Sequence, residues 1–231
     1  MENLTVIVPV YNEEKFLGES LNRLLMIEQN FKILIVDDCS TDNSINVAKS
    51  FVKNNPNIKL ITKNTNEGKG SALIEGFKNI TTEYCTIHDA DLEYFPSDLI
   101  DMYKKIDKKT LILGSRFIGN IERKNIYFRT LVANKIMSKF FSIINKVKVT
   151  DVATCYKMFP VVLVNNIELL EKGFSIEIEL LSNLLNNSER YFEVPIHYEG
   201  RSYEEGKKIK FIDGILYLKN TLKYRINNAQ Y

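Results

Sequence analysis

The sequence predicts one doubly wound α/β domain with a mostly parallel sheet. Short apolar runs rich in β-branched residues alternate with segments of helical spacing through the first half of the chain, as in parallel strands joined by crossover helices. Hydrophobic residues make up 45% of the 231 residues and charged residues 26%, a composition that can bury a substantial core. No Pro-rich or Ser-rich linker divides the sequence, so we expect one continuous domain over residues 1–231.

The order of elements supports this fold class. Apolar runs predict buried parallel strands at residues 4–10, 33–36, 58–61, 84–87 and 111–113. Apolar residues recurring on one face predict helices at residues 13–26, 42–52 and 72–77. After about Gly114 the pattern changes to strand-like residues 148–159 and 191–196, with helices expected near 125–148, 175–185 and 211–225. Because crossovers are right-handed, the functional loops should lie at the carboxyl ends of the parallel strands.

Charge and cysteine content exclude several classes of protein. The formal charge of +2, from 31 basic and 29 acidic residues, gives no global field that would attract nucleic acid. Cys39, Cys85 and Cys155 lie far apart and form no CxxC pair, which argues against a zinc site and favours a reducing compartment. The N-terminus does not resemble a secretory signal, and no apolar run reaches the roughly 18 to 20 residues of a membrane span. We therefore expect a cytoplasmic location and no nucleic-acid partner.

An acidic turn follows the fourth predicted strand and gives the sharpest chemical signal. Asp89, Asp91 and Glu93 lie at i, i+2 and i+4, so their carboxylates could converge on Mg²⁺ or Mn²⁺, and that cation could bridge a diphosphate. The alternative is a solvated acidic turn without a ligand. His88 precedes the turn, but His197 is the only other histidine, so a His-rich dinuclear metal site is excluded.

Polar residues also follow the first two strands. Pro9 ends the first strand, and Tyr11 on the next turn could hold a flat base, although helix capping by Asn12 explains the same residues. Asp37 and Asp38 end the second strand, where one carboxylate could accept a hydrogen bond from a base. One carboxylate is enough to cap a helix, and a second one beside it adds an unfavourable electrostatic energy, because like charges disfavour each other's ionisation. Helix capping alone therefore does not explain the pair.

A glycine-rich turn at residues 66–71 precedes the third predicted helix. It carries Lys69 but has neither the GxxxxGK[ST] nor the GxGxxG spacing, so neither the ATPase nor the dinucleotide fingerprint applies. A lysine and a helix N-terminus near a diphosphate remain one interpretation, and a flexible helix start is the other.

Taken together, these motifs resemble the family 2 glycosyltransferases of GT-A fold, and among them the polyprenyl-phosphate or dolichyl-phosphate mannosyl- and glucosyltransferases. The matching segments occur in the family's order and span nearly the whole chain. They are residues 8–13, 36–42, 66–70, 89–93, 114–117, 151–157 and 201–209.

The resemblance implies a Rossmann-like sheet with a donor-binding half at residues 1–115 and an acceptor-side half at residues 116–231. In such enzymes Asp38 would contact the base, Tyr11 and Glu13 would line the nucleoside pocket, and Asp89 and Asp91 would serve ribose and metal. The implied residues for nucleotide-sugar binding are Pro9, Tyr11, Glu13, Asp38, Lys69, Asp89, Ala90, Arg201 and Lys207. The implied catalytic residues are Asp91, Arg116, Arg129 and Asp151, and the implied metal ligands are Asp89, Asp91 and Glu93.

The reaction implied is an inverting transfer, in which an acceptor oxygen attacks the anomeric carbon while the nucleoside diphosphate leaves. A polyprenyl phosphate acceptor is already anionic and needs no base. A saccharide or protein hydroxyl, the alternative acceptor, needs a carboxylate to take its proton; Asp151 is the first candidate, and Glu177 or Glu179 the second. Stabilisation of a helix start is the alternative explanation for Glu177 and Glu179.

The long helix predicted at 125–148 bears on where the protein acts. Its alternating basic and apolar residues could lie in a membrane interface beside a lipid acceptor, on the cytoplasmic face. A core-packing helix with a solvated basic face is the alternative. A donor-binding module without catalysis is a further hypothesis, against which the intact acidic turn argues.

Overall fold

A central sheet organises the structure, a computed structural model that describes residues 1–27, 29–121, 123–125, 128–201 and 211–225. The strands are β1 (Leu4–Val10), β2 (Lys32–Asp37), β3 (Ile58–Thr62), β4 (Tyr84–Ile87), β5 (Thr110–Ser115), β6 (Arg123–Lys124), β7 (Lys157–Pro160), β8 (Arg190–Pro195) and β9 (Tyr198–Glu199). The helices are α1 (Leu17–Leu25), α2 (Ser44–Asn54), α3 (Lys69–Lys78), α4 (Asp98–Tyr103), α5 (Phe128–Asn145), α6 (Ile176–Asn187) and α7 (Phe211–Lys223), with a 3₁₀ turn at Val161–Leu163.

Within the described residues the main sheet has seven strands in the order β3-β2-β1-β4-β7-β5-β8. Neighbouring strands are parallel except at β7, which runs antiparallel to both β4 and β5. Because β7 is reversed against both neighbours, β4 and β5 point the same way, and the carboxyl ends of β1, β2, β4 and β5 share one edge of the sheet. The predicted functional loops therefore start from a common edge.

The core forms where apolar runs of the strands meet apolar faces of the helices. Leu17, Leu21 and Leu24 are fully buried on one face of α1, at the spacing that a packed helix requires. Strands β1 and β2 in the parallel part bury nearly every side chain, since helices cover both faces of such a sheet. Across the described residues, helices α5 and α7 pack against each other and α6 packs against α3. None of the described helices is both long and apolar enough to span a bilayer.

The predicted mostly parallel α/β fold is confirmed, and two of its details were wrong. Of the residues 148–159 that were expected to be strand-like, only 157–159 belong to a strand, β7, and the residues before them form a loop. The reason is that polar residues of the preceding loop bond to side chains of neighbouring elements: Thr150 pairs with Ser115, and Asp151 with Arg116. Helix α4 was not predicted. The division at residue 115 stays a prediction, and β7 and β8 complete the same sheet as β5.

Candidate active site

A cavity of about 760 Å³ opens at the shared carboxyl edge of the strands. One wall is polar and contains most of the predicted site residues, namely Pro9, Tyr11, Glu13, Asp38, Lys69, Asp89, Ala90, Asp91, Glu93, Arg116 and Arg201. The other part of the lining is an apolar wall from α5, α7 and the segment before α6, with Ala133, Ile136, Met137, Phe174, Ile215, Tyr217 and Leu218. The cavity thus joins a charged site to an apolar surface, which the sequence patterns did not predict as one space.

Three predicted residues lie outside this cavity or outside the described part of the chain. Asp151 is buried behind Arg116 and does not line the cavity. Arg129 belongs to the first turn of α5, and its side chain is outside the described part of the structure. Lys207, like residues 202–210 as a whole, is outside the described residues.

The acidic turn after β4 concentrates negative charge in the cavity. Leu92 adopts a left-handed backbone conformation, with φ of 65°, between Asp91 and Glu93. Burial, together with the nearby carboxylates of Glu93 and Asp89, raises the pKa of Asp91 to about 7, while Arg201 acts in the opposite direction. The turn therefore holds more negative charge than its cationic partners neutralise.

The three carboxylates of this turn have separate partners. Lys69 lies 2.8 Å from Asp89, and Arg201 donates to Asp91 at 3.2 Å. Both oxygens of Glu93 are occupied, one by the Tyr198 hydroxyl at 2.5 Å and the other by the backbone N–H of Arg201 at 2.9 Å. Among the described residues no three acidic, histidine or cysteine side chains are grouped as a metal site.

Metal binding nevertheless fits two of the predicted ligands. Asp89 and Asp91 supply the carboxylate oxygens that Mg²⁺ and Mn²⁺ prefer. Burial, and after it the charges of Glu93 and Asp89, disfavour the ionised form of Asp91 and raise its pKa, and a bound cation would favour that form. Glu93 fits the third ligand position less well, because both of its oxygens already accept hydrogen bonds, one of them from the backbone N–H of Arg201. Metal binding therefore stays a prediction.

Arg201, which follows β9, completes the polar wall of the cavity. Its guanidinium lies 3.4 Å from Glu13 and 3.2 Å from Asp91, and it stacks over the ring of Phe16 at 5.2 Å. These contacts tie the segment after β9 to the loop after β1 and to the acidic turn. A positive charge is thereby held beside the carboxylates, as the resemblance implied.

Arg116 and Asp151 form a buried bidentate pair. The Nε and Nη2 atoms of Arg116 donate to the two oxygens of Asp151 at 2.7 and 2.8 Å, and the Arg116 backbone N–H adds a bond of 3.1 Å. The guanidinium also lies 4.9 Å from the ring centre of Tyr198. Such a pair fixes the arginine firmly, and both oxygens of Asp151 already accept hydrogen bonds from it.

Glu177 and Glu179, the other candidate bases, are both buried in fixed contacts. Glu177 binds Lys69 at 2.8 Å and also pairs with the ammonium of Lys157. The carboxylate of Glu179 accepts hydrogen bonds from the backbone N–H groups of residues 170 and 171. Their contacts therefore go beyond stabilisation of a helix start. Lys157, which the sequence patterns did not single out, is fully buried.

The glycine-rich turn owes its glycines to close backbone packing. A Cβ on Gly70 would lie 2.0 Å from the carbonyl oxygen of Glu171, and one on Gly68 would lie 2.7 Å from that of Lys172. The Ser71 N–H of the α3 N-terminus donates to the Lys172 carbonyl at 3.1 Å. This part of the turn therefore packs closely against residues 171–173, and it places the side chain of Lys69 in the cavity lining.

Asp38 directly follows β2 and bonds to this turn from the neighbouring loop. Its carboxylate accepts from the Lys63 ammonium at 2.5 Å and from the backbone N–H of Gly68 at 2.6 Å. It lines the cavity, and its predicted contact with a base stays a prediction. Tyr11 is partly exposed at the rim, as expected of a residue that could stack on a planar ligand.

His88 is a core residue. Burial lowers its pKa to about 4, so the ring is neutral near pH 7. Its two ring nitrogens lie 3.1 Å from the Ser20 hydroxyl and 2.9 Å from the Tyr156 hydroxyl. It supports the strand below the acidic turn.

Comparison with known proteins places this geometry in a family. Residues 5–167 match the family model described as glycosyl transferase family 2. A dolichol-phosphate mannosyltransferase of Pyrococcus furiosus is 27% identical over 209 residues, which is 88% of this chain and 58% of that relative. The chain thus spans somewhat more than half the length of this curated relative.

Solved structures share the fold. Glucosyl-3-phosphoglycerate synthase from Mycobacterium tuberculosis, in complex with Mn²⁺, UDP and glucosyl-3-phosphoglycerate, superposes with a TM-score of 0.71 at 13% identity, over 97% of this chain and 80% of that one. S. aureus TarS 1-349 with UDP-GlcNAc gives a TM-score of 0.65 at 18% identity, over 99% of this chain and 68% of that one. The predicted GT-A fold and family resemblance are both confirmed, and the chain belongs to glycosyl transferase family 2.

Proposed function

We propose that this protein transfers a sugar from a nucleotide-sugar donor to a polyprenyl phosphate, with inversion at the anomeric carbon. The observation that carries the proposal is the mixed lining of the cavity, which combines a charged wall at the strand ends with an apolar wall from α5 and α7. A nucleoside diphosphate suits the first wall, and an isoprenoid chain suits the second. The similarity to a dolichol-phosphate mannosyltransferase supports the same acceptor class.

The donor would bind at the carboxyl ends of β1, β2 and β4. Asp89 and Asp91 are the residues that would hold Mg²⁺ or Mn²⁺, and the Mn²⁺ and UDP found in a protein of the same fold support this assignment. When bound, the cation would supply positive charge to the leaving diphosphate. Lys69 and Arg201 already place two positive charges beside these carboxylates.

The proton balance at Arg116 and Asp151 supports this acceptor class. A hydroxyl acceptor loses a proton as it attacks, whereas the oxygen of a phosphate monoester is already anionic. Both oxygens of Asp151 accept hydrogen bonds from Arg116, so Asp151 acts by holding the guanidinium. The fixed guanidinium of Arg116 faces the cavity, where it can bind a phosphate. This arrangement favours the phosphate over the hydroxyl.

A membrane surface would supply such a lipid. Exposed apolar residues form one stripe on each of the two packed helices, and we call these the apolar stripes. They are Val132, Ile136 and Ile143 on α5, and Ile215, Leu218 and Leu222 on α7. Ile136, Ile215 and Leu218 also line the cavity, so the stripes continue into it. Exposed Lys135, Lys139 and Lys219 on the same helices suit an anionic bilayer.

Transfer of a radiolabelled sugar tests the proposed reaction. UDP-glucose, UDP-GlcNAc and GDP-mannose are each incubated with the protein, Mn²⁺ and a polyprenyl phosphate, and the products are divided between butanol and water. We expect label in the butanol phase from one of these donors, with EDTA abolishing it. A labelled water-soluble saccharide or protein product would instead support the hydroxyl acceptor, and nucleotide binding without transfer would support a non-catalytic module.

Vesicle flotation tests the membrane surface separately. Replacing Ile136 and Ile215 together by serine should release the protein from phosphatidylglycerol vesicles, because both residues belong to the apolar stripes. Val162→Ser is the control: Val162 is equally exposed but follows β7, whose end pairs with the start of β4 at the opposite edge of the sheet. Equal flotation of the wild type and the double variant would contradict the membrane role of the stripes.

A further inference from the structure

A row of alternating charges runs from the polar wall of the cavity into the core. The ammonium of Lys69, the first residue of α3, lies 2.8 Å from Asp89 and 2.8 Å from Glu177. Glu177 also pairs with the ammonium of Lys157, which donates in addition to the carbonyl of Thr154. The exposed fraction of the side chains falls from 22% for Asp89 through 11% for Lys69 and 3% for Glu177 to 0% for Lys157.

Stability alone is a poor explanation for this row. Removing charges from water is unfavourable, and apolar residues of similar volume often stabilise a core equally well or better. Lys157 at the inner end lies in the core, whereas Glu177, Lys69 and Asp89 line the cavity. A function at the outer end, where Lys69 meets Asp89, accounts for the buried charges behind it.

We propose that Glu177 and Lys157 are positioning residues that fix the ammonium of Lys69 against Asp89. This inference rests on the proposed function, because it gives the fixed ammonium its purpose in donor binding. Two positive lysines share one negative Glu177, so these three residues together present a net positive charge to Asp89. Without Lys157, Glu177 and Lys69 would form a neutral pair, and these residues would present no net charge to Asp89.

The row of charges restrains the geometry of the acidic turn. Asp89 is held by a lysine that cannot swing freely, since its ammonium has two carboxylate partners. Residues that orient a binding group from behind typically change affinity or activity about 10-fold to 100-fold when they are replaced. The row thus fixes both the orientation of Asp89 and the place of a positive charge at the donor site.

A paired substitution tests this without leaving a buried charge. Glu177→Gln alone leaves Lys157 unpaired in the core and endangers folding. Lys157→Met combined with Glu177→Gln removes one charge of each sign, so the net charge is unchanged and only the anchoring of Lys69 is lost. The matched control is Asp101→Asn with Lys104→Met, which removes an exposed ion pair on α4. Thermal melting identifies folded variants.

The first readout is chemical labelling of Lys69. Acetic anhydride modifies amines according to their accessibility, and mass spectrometry of the peptide with Lys69 gives the rate. We expect the rate to rise severalfold in the paired variant and to stay unchanged in the control. An unchanged rate in the folded paired variant would overturn the positioning role, whether or not the protein binds a nucleotide.

The second readout is calorimetry with UDP and with GDP, each in the presence of Mn²⁺. The paired variant and Lys69→Met should each bind the preferred nucleotide about 10-fold more weakly. Adding Lys69→Met to the paired variant should cost nothing more, because all three residues act through one ammonium. Additive losses, or wild-type affinity in the paired variant, would refute the inference. A wild-type protein that binds neither nucleotide contradicts the proposed function instead, and the labelling rate still decides the positioning role.

Discussion

The pair of Arg116 and Asp151 gives the clearest test of the energetics of the site. In Asp151→Asn one carboxylate oxygen becomes an amide donor that faces an arginine donor, and the buried guanidinium loses its counter-charge. Asp151 is 1% exposed and Arg116 7%, so water cannot replace the lost partner. Leaving one member of a buried ion pair without its partner costs about 3–5 kcal/mol.

That loss is large enough to measure by thermal unfolding. For a domain of this size each kcal/mol shifts Tm by about 2–4 °C, so we expect a fall of about 6–20 °C. Asp101→Asn, which removes an exposed partner of Lys104, is the control and should stay within about 1 kcal/mol of the wild type. Arg116→Met combined with Asp151→Leu should recover much of the stability, because neither buried charge remains. A loss below about 1 kcal/mol for Asp151→Asn would refute the buried-pair reasoning.

Three other changes follow from the geometry of the site. Asp91→Asn should lower sugar transfer by about 100-fold or more at unchanged Tm, as measured by initial rates with saturating Mn²⁺; a rate near wild type would remove Asp91 from the catalytic residues. Gly70→Ala should lower the free energy of unfolding in urea by about 1–3 kcal/mol, because the new Cβ would collide with the Glu171 carbonyl. Gly173→Ala is the control and should be neutral, because a Cβ there has no atom within 4 Å. Equal effects of the two substitutions would contradict the packing role of Gly70. Burial opposes ionisation of Glu171, but hydrogen bonds from Ser175 and Lys223 outweigh it and lower its pKa to about 2. The stability that Glu171 adds is therefore present above its unfolded pKa of about 4.5 and is lost as pH falls toward 2. Between these pH values the free energy of unfolding should fall less in Glu171→Gln than in the wild type. An equal fall in both proteins would contradict this.

The sequence predicted the sheet edge and the polar wall because both depend on local patterns. Apolar β-branched runs identify β1 to β5, and polar residues directly after parallel strands must meet at one edge. The positions of Asp38, Asp89 and Asp91 along the chain were therefore enough to place them at the carboxyl ends of their strands, where the structure has them lining one cavity. The reversed strand β7 had no such signal, since its direction is set by long-range pairing with β4 and β5.

The partners of the charged residues were the other part that sequence patterns could not supply. Asp151 resembled a base, and only its contacts reveal that Arg116 occupies both of its oxygens. Glu93 resembled a metal ligand, but Tyr198, more than a hundred residues later, takes one of its oxygens. Lys157 lies in an apolar strand pattern, where nothing local indicates that its ammonium meets Glu177. Side-chain pairing across the fold therefore revises roles that spacing alone suggested.

The comparison of a short polyprenyl phosphate with the matching polyprenyl alcohol tests the central claim most directly. Both acceptors offer the same apolar chain to α5 and α7, and only the phosphate offers an anionic oxygen to the polar wall. With the donor that labels the lipid phase and with Mn²⁺ present, we predict transfer to the phosphate and none to the alcohol. Equal transfer to both acceptors, or transfer to neither while a water-soluble hydroxyl acceptor is labelled, would contradict the account.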